Sequence, residues 1–222
     1  MDFTAIGKFP SGKLLHELMQ NMCAKAVKLI DPYAPMDIIC EVYQPSKPHP
    51  RGQEAFNIRA KFPWHRKPQT NIMVEITVDE EIIKPVILKP ILHEYDEIFS
   101  ANILTYSLEE IVAEKLRAIL QNIKNLEKRG WARSRARDYY DLWNILKVYK
   151  NQLNLQDFDS FLRQKCSTRD VNFENYNSFF YPKLLEIVEK TWAQWLGTLV
   201  PNLLSYQQVI EELKQQIEDL LP

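Results

Sequence analysis

Cysteine is scarce in this chain, and the three present, Cys23, Cys40 and Cys166, are far apart and odd in number. They make neither a disulfide framework nor a metal-ligand spacing, which is the pattern of a protein kept in a reducing cytoplasm. Long apolar runs are missing, as is a signal peptide, so the sequence offers no membrane span and no membrane partner. Net charge is also missing: 28 basic residues face 29 acidic ones. Any contact with nucleic acid must therefore come from a local patch. There is no internal repeat and no low-complexity segment. What remains is an ordinary folded composition, 45% hydrophobic and 26% charged over 222 residues, long enough for one or two domains with a sizeable core.

Strand-period segments fill the first half. Alternation predicts strands over Met36–Tyr43, Phe56–Phe62 and Asn71–Asp79, with Pro45–Gly52 and Pro63–Pro68 as turns. Before them, Ser11 caps a helix with Leu14, Leu15, Leu18, Met22, Ala26 and Leu29 at helical spacing, stopped at Asp31-Pro32. His16 on that helix reads as a solvated or hydrogen-bonded histidine. Residues 81–106 read as an irregular crossing with one short strand, in which His93 has no assigned role. After Ser107 the period becomes helical, including helices over Phe158–Lys165, Pro182–Leu199 and Tyr206–Leu221. The expectation is an α+β fold, with a mixed sheet and helices in 1–105 and a helical domain in 106–222.

Charge placement singles out particular residues. Ser107 and Glu110 form a capping box, so a helix starts at Leu108. Leu108, Ile111, Val112, Leu116, Ile119 and Ile123 make its apolar stripe, and Lys115 falls inside it. The next helix repeats the anomaly with opposite sign, Asp138 lying in an arc with Tyr139, Leu142, Trp143, Ile145 and Leu146. Core-directed charges cost free energy unless they are met. The two residues are thus either a structural ion pair or a site. Between the helices runs a basic stretch of Lys124, Lys128, Arg129, Arg133, Arg135 and Arg137 with Trp131, a contact for phosphates or a solvated connector. On the strand over 71–79, Glu75 shares a face with Met73, Thr77 and Asp79.

SLEEIVAEKLRAIL from Ser107 followed by RARDYYDLWNIL from Arg135 resembles the C-terminal signature of the AbiEii toxin-family nucleotidyltransferases, the enzymatic halves of bacterial toxin–antitoxin and phage-abortive systems. The likeness extends upstream through PSKPHPRG, NIMVEITVDEE and YSLEEI. It implies a nucleotidyltransferase-like fold, and transfer of a nucleoside monophosphate from a nucleoside triphosphate to an acceptor such as tRNA. The family uses Mg2+ as cofactor and has a cognate antitoxin as partner. By the resemblance, Lys115 holds the triphosphate and Asp138 orients Lys115 or moves a proton, while Asp141 braces its helix against the sheet. Arg135 and Arg137 lie nearest the nucleotide, and Asp2 and Glu75 support the metal. Met1-Asp2-Phe3-Thr4 resembles the tail of the family's Asp-x-Asp motif, so the sequence is expected to start inside that motif, truncated and with impaired transfer. Asp2 is expected to fray, as terminal residues do. Two other readings stay open: a non-catalytic remnant that binds nucleotide or RNA, and a helical interaction module with a structural Lys115–Asp138 pair.

Overall fold

A computed structural model describes residues 1–44, 53–92 and 100–221; the expected loop at Pro45–Gly52 and His93 lie outside the described residues. The chain divides into two compact units, Met1–Glu80 and Glu81–Pro222. The fold is α+β, consistent with a nucleotidyltransferase-like architecture. Among the described residues no helix is long and apolar enough to cross a membrane.

Among the described residues, the first unit is a four-stranded mixed sheet with one helix. Its strands are β1 (Asp2–Thr4), β2 (Asp37–Val42), β3 (Gln53–Lys61) and β4 (Thr70–Thr77), in the order β1-β4-β3-β2. β1 runs parallel to β4, and the other pairs are antiparallel. The start of the chain is therefore held in a ladder: Glu75 donates its backbone N–H to the Met1 carbonyl, and Ala5 donates to Thr77. Period-two alternation sends Val74 and Ile76 of β4, Phe56 of β3 and Cys40 of β2 to one face. There they bury against Leu15, Met19 and Cys23 of helix α1 (Gly12–Ile30). Each such side chain contributes about 1.5–3 kcal/mol when fully buried. His16 lies 3.3 Å from the Cys40 carbonyl and stacks near Phe56, so it is the hydrogen-bonded histidine its position suggested.

The helical period of α1 is as expected, but its buried face is not. Leu14, Leu18, Met22 and Leu29 are exposed, while Leu15, Met19 and Cys23 pack on the sheet. Adjacent apolar residues such as Leu14 and Leu15 satisfy two stripes one residue apart, and periodicity alone does not choose between them. In α5 (Pro182–Leu196), Leu184, Val188, Trp192 and Leu196 are buried and Trp195 is exposed.

The second unit opens with a hairpin, β5 (Ile87–Pro90) paired antiparallel with β6 (Asn102–Thr105), where one strand was expected. Among the described residues no strand follows Ser107. The helices are α2 (Leu108–Arg129), α3 (Ala136–Val148), α4 (Phe158–Ser167), α5 and α6 (Tyr206–Leu220). Their facing stripes share one core, with Leu116, Ile119, Tyr139, Leu142, Leu162, Leu184 and Leu213 fully or almost fully buried. The Tyr139 hydroxyl is satisfied there by donating to the Phe179 carbonyl at 2.6 Å.

Candidate active site

Helix α2 is specified at both ends. The Ser107 hydroxyl accepts the Glu110 N–H at 3.2 Å, Glu109 and Glu110 occupy the first turn, and Lys128 and Arg129 the last. Gly130 closes the helix with φ at 71°, its N–H bonding the Leu126 carbonyl. Helix α2 thus runs through Lys124, Lys128 and Arg129, and the basic stretch expected as a linker is mostly helical. The true connection, Gly130 to Arg135, is pinned by the Asn122 amide, which donates to the Arg133 carbonyl at 2.8 Å. That pinning sets α3 across α2.

The crossing brings Lys115 and Asp138 together. Lys115 Nζ stands 3.2 Å from Asp138 Oδ1 and 2.6 Å from Asp141 Oδ2. Arg135 Nη1 donates to the other Asp138 oxygen at 3.0 Å. Asp141 is therefore a direct partner of the lysine, although the sequence had suggested a brace. Its signal was visible: Asp138 and Asp141 are spaced i,i+3, on one face of α3. Burial pulls the Lys115 ammonium down, but the charges and hydrogen bonds of Asp138 and Asp141 outweigh it and hold its pKa above the ordinary value. The centre is not sealed. The side chains of Lys115 and Asp138 are 21% and 19% exposed, and that of Asp141 is 47% exposed. An ammonium has three donors, and the two carboxylates engage two of them.

A second charged network lies deeper in the same unit, and sequence reasoning missed it. Lys165 of α4, 2% exposed, contacts Glu110 Oε1 at 2.7 Å, Glu114 Oε1 at 2.6 Å and the Glu81 carbonyl at 2.6 Å. Arg117 holds the other Glu114 oxygen at 2.6 Å. The Glu110 carboxylate also accepts the Lys84 backbone N–H at 3.0 Å, so it serves this network and not the return half of a capping box. Burial lowers the Lys165 ammonium, and its two carboxylates more than reverse that. The clue was of the same kind that exposed Lys115. Phe158, Phe161, Leu162 and Cys166 form the buried face of α4, and Lys165 falls inside it. Full burial with three acceptors makes Lys165 structural. Lys115, with a free donor and solvent access, is the one able to meet a ligand.

The remaining basic residues disperse. Arg137 lies over the Trp195 ring at 5.3 Å, turned to a different partner from Arg135. Lys124 donates to the Asp170 carbonyl, and Trp131 is exposed. In the sheet, Asp2 of β1 and Glu75 of β4 are direct register partners on neighbouring parallel strands, so both carboxylates project from one face. Two carboxylates match what Mg2+ takes from a protein when phosphates and water fill its other positions. Among the described residues no group of three or more metal-capable side chains occurs.

Comparison with curated proteins gives no match. A family model described as nucleotidyl transferase AbiEii toxin, type IV TA system, matches residues 3–216. That span contains Lys115, Asp138, Asp141 and Arg135 together with nearly all of the sheet, and the chain belongs to the AbiEii nucleotidyl transferase toxin family.

Proposed function

We propose that the chain transfers a nucleoside monophosphate from a nucleoside triphosphate to an RNA acceptor, tRNA being the candidate, with Lys115 as the residue that meets the triphosphate. The observation that carries this is the unsealed Lys115 centre: a cation kept charged by Asp138 and Asp141, fixed in direction by them, with one donor left over. In such a transfer an acceptor hydroxyl oxygen forms a bond to the α-phosphorus as the bond to the β-phosphate bridging oxygen breaks. Pyrophosphate leaves and the hydroxyl proton is lost. The chemistry is mostly positioning and neutralisation of developing charge. Lys115 donates to a phosphate oxygen, and Asp138, itself braced by Arg135, holds the ammonium in place. Asp2 and Glu75, partners across β1 and β4, would hold Mg2+, a source of positive charge for phosphoryl chemistry. The reaction belongs in the cytoplasm, and a cognate antitoxin is the partner that restrains it.

A second reading, a protein that binds nucleotide or RNA without turning it over, is favoured by one observation. Lys115 and Arg135 balance Asp138 and Asp141, so the network is neutral without a ligand. Purified protein is incubated with Mg2+, bulk tRNA and each nucleoside triphosphate labelled at the α- or the γ-phosphate. Nucleotidyl transfer puts α-label and no γ-label on RNA. Transfer of γ-label contradicts the proposal, and retained RNA binding with no label of either kind supports the second reading.

A further inference from the structure

The tip of the β3–β4 hairpin carries a cluster that the proposed chemistry does not use. Pro63 and Pro68 bracket Trp64, His65, Arg66 and Lys67, and the turn is closed by the His65 N–H donating to the Phe62 carbonyl at 2.9 Å. At the base of the tip, the Gln69 N–H bonds the Ala60 carbonyl at 3.0 Å. Trp64 stacks flat on Phe62, with centroids 4.8 Å apart and planes 4° from parallel. His65 meets both rings edge-on, at 5.6 and 6.0 Å. Trp64 is nonetheless 67% exposed. Phe62 lies parallel to the ring and fixes its plane, while most of the residue stays accessible to solvent.

A fixed, solvent-facing tryptophan is costly as a surface residue and useful as a stacking platform. Its neighbours select the kind of partner. Arg66 and Lys67 are exposed, and among the described residues neither is in an ion pair. Nothing acidic lies between Lys61 and Gln69. In a chain whose overall charge is only −1, this is a local basic patch interleaved with aromatic rings. Rings that take a base and cations that take its phosphates are the combination that binds single-stranded nucleic acid. A duplex keeps its bases stacked on each other and offers no free base face.

We propose that the β3–β4 hairpin tip binds single-stranded RNA, with an unpaired base stacking on the exposed Trp64 and Arg66 and Lys67 meeting the adjoining phosphates. This gives the RNA acceptor a landing surface, and to that extent it rests on the RNA-acceptor part of the proposed function. The readout is binding, which is separable from transfer. Fluorescence anisotropy of the full chain is measured with fluorescein-labelled oligouridylate and with a blunt RNA duplex, across a salt series. Trp64→Ala weakens oligouridylate binding by about 5- to 150-fold, the range set by one lost base stack. Trp64→Phe keeps most of the affinity, and Trp64→Ala leaves duplex binding unchanged. Arg66→Gln with Lys67→Gln lowers the salt slope by about 1.4, at about 0.7 for each single-strand phosphate contact. Circular dichroism melting confirms that each variant is folded, as expected for an exposed tip. Wild-type affinity in folded Trp64→Ala, equal losses on oligouridylate and duplex, or no oligouridylate binding by the wild type would each overturn the proposal. A chain that binds oligouridylate through Trp64 yet transfers no nucleotide would sink the transferase reading and leave this one standing.

Discussion

Replacing Lys165 with methionine should unfold the helical unit far more readily than any change at Lys115. Methionine fills most of the lysine volume, so the perturbation is mainly the loss of charge. The ammonium at 2% exposure neutralises Glu110, which is fully buried, and shares Glu114 with Arg117. After substitution Glu114 keeps Arg117 at 2.6 Å, but Glu110 keeps only backbone N–H groups, those of Lys84 at 3.0 Å and Ile83 at 3.4 Å. An uncompensated carboxylate in a sealed core costs about 3–5 kcal/mol. For a chain of this size that corresponds to about 6–20 °C in Tm. Urea denaturation followed by circular dichroism measures it directly. Adding Glu110→Gln to Lys165→Met removes the stranded charge and keeps an acceptor for the Lys84 N–H, so the double variant should recover a large part of the loss. A single-variant loss below about 1 kcal/mol, the range of an exposed pair, would refute the reasoning. So would a double variant no more stable than the single.

Gly130→Ala tests the end of α2. The glycine has open space where a Cβ would sit, so the cost is the left-handed backbone alone, about 1–2 kcal/mol, and an unchanged melting curve would contradict it. Glu212 of α6 gives an acid-range test. Lys147, Trp143 and Gln208 hydrogen-bond its carboxylate and hold its pKa down to about 2, from an ordinary 4.5. A depressed folded pKa means that the stabilisation is present above pH 4.5 and lost as pH falls toward 2. The stability gap between wild type and Glu212→Gln should therefore close across that window, and a gap that widens there would be wrong in sign.

The architecture was legible because each level of the sequence agreed with the next. Alternation marked β2, β3 and β4, and Ser107 marked the start of α2. The buried face of α1 was less legible, since Leu14 and Leu15 fit two stripes equally well. Only the partner surface chooses between them. The meeting of Lys115 with Asp138 could be inferred because unmet charges do not persist in apolar arcs. That argument predicts a partner but not its number, which is why Asp141 was misread. Lys165 shows the limit from the other side: the same rule applied to α4, but its carboxylates come from a helix some fifty residues upstream. The hairpin tip carried no periodic signal at all. Its rings became a feature only when the turn stacked Trp64 on Phe62.

The central claim is that Lys115 meets the triphosphate, and the kinetics of α-label transfer to RNA by Lys115→Ala test it most directly. Rates are measured across nucleotide concentration, with melting curves showing that the variant remains folded. Loss of one charged donor to the reacting phosphates should lower kcat/KM by about 100- to 1000-fold. A folded Lys115→Ala protein that labels RNA with wild-type kcat/KM would contradict the claim and return Lys115 and Asp138 to a purely structural pair.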